Sequence, residues 1–319
     1  MRAALYDEYG TPDVLYVGNV PKPEAGPGQV LVRVAATSVN GGELHARSGR
    51  IRFLTGLWAR GEQGPKRTGI DFTGEIAAVG PGVSGFAPGD RVWGVLGRAM
   101  GSVAEFLAVP ANRVAHAPRE LDLVQAAALP VGTTAVTALR DKAKLRAGER
   151  LLVRGASGGV GSIAVQLGAA LGARVTGLAG TRNLDLVREL GAAEAVDYRK
   201  TGVAELGRFD VVLDTVGTDL RGSRAALAPG GRMVSIAFDT ERPVSSIGYI
   251  LGSTVFGKQR VRFFSGNPYQ ADLAELTRLT ENGLIAPVVD RVHPLADIAK
   301  AHQDLESGGV RGKILVEIG

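Results

Sequence analysis

Apolar and polar positions alternate in two different rhythms along this chain. Up to about Pro118 the apolar runs are short and β-rich. "QVLVRVAAT", "GEIAAVG", "DRVWGVL" and "AEFLAV" are set apart by turns such as Pro27-Gly28, Pro81-Gly82 and Pro88-Gly89. Short strands at this spacing predict an antiparallel, barrel-like unit. From about Glu120 the rhythm lengthens, and "DLVQAAALPVGTTAVTALRDKA" predicts helical segments broken at Pro130. Beyond it "ERLLVRG" precedes "GVGSIAVQLGAALG" and "ARVTGLA" precedes "NLDLVRELG", followed by "EAVDY", "FDVVLDTVG", "GGRMVSIAF" and "RVRFFSG". Strands that alternate with helices in this way predict βαβ units and a parallel sheet covered on both faces. Two further helical runs, near 269–282 and 295–307, lead to a final strand "GKILVEI". With 319 residues and no low-complexity linker, two closely packed domains are expected.

Composition narrows the function. The absence of cysteine rules out disulfides and thiolate metal sites. A net charge of +5 raises the question of nucleic acid, but basic residues are mostly dispersed among acids and aromatics make up only 5% of the chain. A nucleic-acid surface concentrates both, so the charge reads as surface plus an anionic ligand. The opening "MRAALYDEYG" lacks the apolar stretch of a signal peptide and no segment is long enough to span a bilayer, so a cytoplasmic protein is expected.

The strongest short signal is Gly155-Ala156-Ser157-Gly158-Gly159-Val160-Gly161, between an apolar strand and an apolar helix. In a dinucleotide-binding turn the middle glycine admits the pyrophosphate to the backbone, and the last lets the helix pack on the strand. Gly158 and Gly161 take those places, and Ala156 replaces the first glycine. The same letters also spell G-x-S-x-G, the nucleophile elbow of a serine hydrolase, with Ser157 as nucleophile, Asp210 or Asp214 as acid and His293 or His302 as base. Residues 252–259 fit the start of a P-loop, but Gln259 stands where the magnesium-binding hydroxyl belongs.

The segment "GLAGTRN" identifies the dinucleotide. A carboxylate at the end of the second strand would bond the ribose hydroxyls of NAD, yet no acid occurs between Gly161 and Leu184. Thr181, Arg182 and Asn183 offer a hydroxyl, a guanidinium and an amide, a set suited to a 2′-phosphate. NADPH is therefore the expected cofactor.

Taken together, "PGQVLVRVAATSVN", "GIDFTGEIAAVGPGVSGFAPGDRVWG", "GSVAEFLAVP", "AAALPVGTTAVTAL", the glycine turn, "RELGAAEAVDY", "LAPGGRMVSI" and "LESGGVRGKILVEI" resemble the zinc-independent quinone oxidoreductase branch of the medium-chain dehydrogenases/reductases. The resemblance spans nearly the whole chain. It implies a GroES-like β-barrel domain (residues 1–121 and 267–319) joined to a Rossmann domain, a doubly wound parallel sheet (residues 122–266). Zinc alcohol dehydrogenases of the same family carry a zinc-binding Cys where this chain has Asn40, and "GHE" where it has Gly69-Ile70-Asp71. No metal is expected, and hydride donation to a quinone or enone needs none, because the acceptor delocalises the developing charge.

The resemblance also implies individual roles. Asn40 matches the substrate-cleft asparagine of "SVNPxD", with Glu43 in place of the aspartate, and Thr134 matches a threonine beside the cofactor. Tyr198 matches a tyrosine near the adenosine 2′-phosphate. Phe238 and Phe264 lie in segments that approach the nicotinamide, and Arg311 and Lys313 match a C-terminal "RGK" near the cofactor. Pairing of "RVRFF" with its twin implies a homodimer. The expected activity is NADPH-dependent reduction of a quinone or α,β-unsaturated carbonyl. The rivals are a trans-acting enoyl reductase of polyketide or acyl metabolism, a non-catalytic NADPH sensor and the hydrolase. The apolar residues Ile51, Phe53, Leu54, Leu57 and Trp58 line a candidate substrate loop or pack as a helix on the barrel.

Overall fold

The computed structural model describes residues 1–50, 64–97, 99–255 and 259–319, which fall into two compact units. One holds residues 1–131, 267–282 and 287–319, and the other holds 132–266 and 283–286.

The first unit opens with β1 (Arg2–Tyr6), β2 (Tyr16–Asn19) and β3 (Gln29–Ser38), then α1 (Gly41–Arg47), β4 (Lys66–Arg67) and β5 (Asp71–Val79). It continues through β6 (Arg91–Val95), β7 (Phe106–Pro110), β8 (Val114–His116) and the short α2 (Leu123–Ala126). β3 is its spine. Val30, Val32 and Val34 alternate into the core while Arg33 faces solvent, as a period-two strand requires. One edge of β3 pairs antiparallel with β5, and the other is shared by β7 and the last strand of the chain. β5 passes to β6 and β6 to β8, all antiparallel. β1 joins β2 and β4 in a separate three-stranded sheet.

The second unit runs through α3 (Thr133–Val136), a π-helical turn (Thr137–Lys142), β9 (Arg150–Arg154), α4 (Gly159–Ala170), β10 (Arg174–Ala179), α5 (Leu184–Glu189) and β11 (Glu194–Asp197). β12 (Phe209–Asp214), α6 (Leu220–Ala225), β13 (Leu227–Ser235), α7 (Pro243–Val255) and β14 (Val261–Phe263) follow. The strands lie in the order β11-β10-β9-β12-β13-β14 and every pairing is parallel. Counted within the unit that order is 3-2-1-4-5-6, the Rossmann arrangement, whose ligand crevice opens at the carboxyl ends of the strands where the order reverses. Leu151–Val153 and Val211–Leu213 are fully buried runs, as strands covered on both faces must be.

The chain then returns to the first unit with α8 (Gln270–Glu281), β15 (Val289–Pro294), α9 (Ile298–Glu306) and β16 (Lys313–Glu317). β16 inserts between β15 and β3.

Two boundaries differ from those the sequence implies. Residues 122–131 belong with the first unit: Thr73 donates to Leu123 O at 2.7 Å, and Ala127 and Ala128 pack on Ala36 and Leu315. Residues 283–286 belong with the second, because Gln166 accepts from Ala286 N (2.8 Å) and donates to Ala286 O (3.1 Å).

Small residues set the helix-to-sheet distance in the second unit. A Cβ on Gly177 of β10 would come within 2.4 Å of Val187 Cγ1 and 2.9 Å of Ala156 Cβ. Gly177→Ala overpacks a closed core and is expected to cost about 1–3 kcal/mol, read as a lower urea midpoint with an unchanged m-value.

Candidate functional site

The glycine turn takes the predicted strand–turn–helix form. Gly155 ends β9 with φ +74°, so it supplies the tight turn, and Ala156 can be a fully buried alanine whose N–H donates to Leu178 O at 2.9 Å. A Cβ on Gly161 would lie 2.0 Å from Gly155 O, which makes glycine obligatory where α4 crosses the strand end. Gly158 caps α4 with no side chain, and a Cβ there would meet nothing nearer than Gly155 O at 3.4 Å. The first turn of α4 has no acidic residue. Its free backbone N–H groups, the helix dipole and the open space before Gly158 form a cradle that fits a phosphate.

Beside the cradle, the ends of β10 and β11 lie in register, Ala179 opposite Asp197. The Thr181 hydroxyl donates to Asp197, which also accepts from Arg199 N at 3.0 Å. These bonds hold the Asp197 carboxyl below its ordinary range, the Thr181 hydroxyl acting most strongly. Asn183 donates from Nδ2 to Ser157 Oγ at 3.1 Å and so ties the strand end to the glycine turn. Thr181 and Asn183 are thus buttresses, and Arg182 between them is exposed. Tyr198 is 55% exposed, with the Arg199 guanidinium 5.6 Å from its ring centroid.

At the ends of β12 and β13, buried Asp214 accepts from Val216 N (3.1 Å), Gly217 N (3.2 Å) and Arg154 Nη1 (3.1 Å). Burial pushes its carboxyl up, against the pull of Arg154. The brace it makes brings Gly217 so near the backbone of Phe238 that a Cβ on the glycine would sit 2.6 Å from Phe238 N. Phe238 stacks edge-on with Phe263, centroids 6.0 Å apart, and Phe264 has the Lys142 ammonium 5.9 Å from its ring. Thr134 is half-buried on α3, which packs on α4, and the chain at Gly266 passes close to its Oγ1.

Asn40, Arg311 and Lys313 belong to the first unit. Arg311 is exposed and its N–H donates to Asp290 Oδ1 at 3.4 Å. Lys313 turns inward. Its Nζ donates to Asn40 Oδ1 (2.6 Å) and Val39 O (3.1 Å). Asn40 Nδ2 donates to Ser38 O (2.9 Å), Glu43 Oε1 (2.8 Å) and Asp71 Oδ2 (3.1 Å). Glu43 also accepts from Thr68 Oγ1 (3.0 Å) and Gly69 N (3.1 Å), and Asp71 from Ser38 N (2.7 Å) and Thr37 Oγ1 (3.2 Å). Burial and then the Asp71 charge push the Glu43 carboxyl up to about 7, while burial pulls the Lys313 ammonium down. Sequence reasoning singled out Asn40 and Lys313 but not their partnership, and it assigned Glu43 no part. A lone lysine opening the apolar strand "KILVE" was the available signal.

The other sequence motifs fare differently. All four histidines lie in the first unit, so the unit that carries Ser157 holds no imidazole base, and His293 pairs with Asp304 at 2.9 Å. Ile51, Phe53, Leu54, Leu57 and Trp58, and the Gly257-Lys258 of the P-loop-like stretch, lie outside the described residues. Among the described residues no group of three or more His, Asp or Glu side chains could hold a metal ion, and no helix is long and apolar enough to cross a membrane.

The alcohol dehydrogenase GroES-like domain matches residues 26–119, and the zinc-binding dehydrogenase family matches residues 190–316. The human NAD(P)H oxidoreductase RTN4IP1, mitochondrial, is 32% identical over all of this chain and 89% of its own length. A quinone oxidoreductase from Lama guanicoe is 34% identical over 99% of this chain and 97% of its own. The 2-methylene-furan-3-one reductase of Solanum lycopersicum is 31% identical over 99% and 79%. Among solved structures, mycobacterial Rv1454c complexed with NADPH superposes with a TM-score of 0.84, 28% identity and full coverage of both chains.

The raised Glu43 carboxyl fixes the sign of a stability change. Below the ordinary value of 4.5 both folded and unfolded chains hold the proton; between 4.5 and about 7 only the folded chain does. Stability therefore falls as pH rises through that window, by about 3 kcal/mol. Urea midpoints across pH 5 to 8 should trace this loss, and Glu43→Gln should flatten it.

Proposed function

The chain belongs to the quinone oxidoreductase branch of the medium-chain dehydrogenase/reductase family, and from this premise we propose that it passes a hydride from NADPH to a quinone or an α,β-unsaturated carbonyl without zinc. The observation that carries the reading is the acid-free helix N-terminus over the open glycine turn, with an exposed arginine held beside it. NADPH, when bound, supplies the hydride. The backbone amides of Ser157, Gly159, Val160 and Gly161 hold its pyrophosphate, Gly158, whose own N–H donates to Gly155 O at 3.0 Å, gives it room, and Ala156 keeps the turn close against β10.

Arg182 grips the 2′-phosphate with Tyr198 beside it, while Thr181 and Asn183 fix the loop from which the guanidinium projects. Asp197 is the acid that a scan of β10 alone does not find. Its bonds to Thr181 and to Arg199 N turn it toward the loop and leave the 2′ position to cations. Thr134, Phe238 and Phe264 shape the apolar side of the crevice and exclude water from it. The donor set argues against zinc chemistry, since Asn40 is engaged by Lys313, Glu43 and Asp71 and the chain has no thiolate. Among the described residues β14 is an edge strand paired with β13, and pairing with its twin would complete a homodimer.

Absorbance of the reduced nicotinamide, followed with a simple benzoquinone or an enone as acceptor, tests the activity. NADPH should be consumed well ahead of NADH. Arg182→Ala should raise KM for NADPH about ten- to a hundredfold, the worth of a charge-assisted bond, and leave KM for NADH nearly unchanged. Equal KM changes for both cofactors would remove Arg182 from the phosphate site.

A further inference from the structure

The strand order of the second unit reverses between β9 and β12, so its ligand crevice has two lips, the glycine turn after β9 and the chain after β12. The first lip cradles a pyrophosphate. The second, residues 214–218, is gripped at both ends by one side chain.

Arg154, the last residue of β9, donates from Nη1 to Asp214 Oδ1 at 3.1 Å and to Thr218 O, and from Nη2 to Thr218 Oγ1 at 3.5 Å. Asp214 opens the loop and Thr218 closes it, so a single guanidinium spans the segment. Within that span the Asp214 carboxyl accepts from Val216 N and Gly217 N, and the Thr215 hydroxyl donates back to Arg154 O at 2.8 Å. The loop is also hemmed in on two sides. A Cβ on Gly155 of the glycine turn would lie 2.4 Å from Thr215 Oγ1 and 3.1 Å from Val216 Cγ2. Toward β13, Gly217 lies against the backbone of Phe238. Between these contacts Val216 keeps 45% of its surface exposed, an apolar side chain presented by a fixed loop.

As a source of stability this pair is weak. Asp214 is 0% exposed and the Arg154 side chain 12%, and apolar residues often match or better an ion pair placed so deep. What the guanidinium adds is shape, because its planar fork meets both ends of the loop at once. We propose that Arg154 is a positioning residue that holds residues 214–218 as a wall for the nicotinamide half of the cofactor, an inference that rests on the NADPH reading above. The two halves of the cofactor divide by strand. β9, β10 and β11 carry the glycine turn and the loop of Arg182, which serve the pyrophosphate and the adenosine phosphate. β12, β13 and β14 carry the braced loop and Phe238. Arg154 stands on the strand at the boundary and reaches across to the other set. It touches no reacting atom and acts through the loop.

Calorimetric titration with two probes tests the proposal: NADPH, and adenosine 2′,5′-bisphosphate, which carries the 2′-phosphate half and lacks the nicotinamide. Arg154→Lys keeps a charge opposite Asp214, but an ammonium is a point charge and cannot meet Thr218 as well. It should weaken NADPH about tenfold or more, lower kcat with a quinone, and leave both the affinity for the bisphosphate and the urea midpoint unchanged. Arg154→Met, which strands the Asp214 carboxylate, should lower the midpoint too. A second measurement needs no variant. In the wild type, NADPH should slow amide hydrogen exchange across residues 214–218, and the bisphosphate should not.

Wild-type affinity for NADPH in Arg154→Lys, or a loss shared equally by the bisphosphate, overturns the positioning role and leaves the oxidoreductase reading intact. Exchange across residues 214–218 that ignores NADPH, or that slows equally with either probe, overturns it as well. A wild type that binds neither probe overturns the NADPH reading and the wall together.

Discussion

Where α4 crosses the end of β9, two glycines approach so closely that a Cβ on Gly161 would overlap the carbonyl oxygen of Gly155. The second unit is arranged around that approach. It sets the helix against the strand, aims the first-turn amides at open space, and leaves room for Ala156 to pack under Gly177. From the same turn Ser157 reaches across to Asn183 and fixes the loop that presents Arg182. The glycine turn and the loop that carries Arg182 therefore share a common frame.

The first unit is organised by electrostatics. Beside a core made mostly of valine, isoleucine, leucine and alanine, it buries two carboxyls, an ammonium, an amide and several hydroxyls in one place. Each group has hydrogen-bond partners, so the cost of burial is met locally, yet the number of charges is odd. A cluster retained only for stability would be better served by apolar residues.

How much of this could be read from the sequence depended on range. The glycine turn, the alternation of strands and helices and the bare helix N-terminus are local patterns, and they were legible. Even so, the missing first glycine was misplaced: Gly155, one residue earlier, provides the positive φ that Ala156 could not. The loop that carries Arg182 is a local pattern, but Asp197 is not part of it, because sheet pairing rather than sequence proximity brings it to the end of β10. Lys313 and Asn40 stand 273 positions apart, and no period or spacing links them. The four histidines invited a hydrolase reading; all four lie in the first unit and Ser157 in the second.

The path of the backbone carries a consequence of its own. β16 occupies an interior place in its sheet, between β15 and β3, yet in chain order it comes after the whole of the second unit. A ribosome must therefore finish the dinucleotide-binding unit before the strand that completes the barrel exists. During that interval β3 exposes part of an edge, and the carboxyls of Glu43 and Asp71 have no ammonium partner. Domains are commonly expected to fold in the order of their synthesis. Here the unit that begins first is closed last, and the half-made barrel is the species a chaperone would meet.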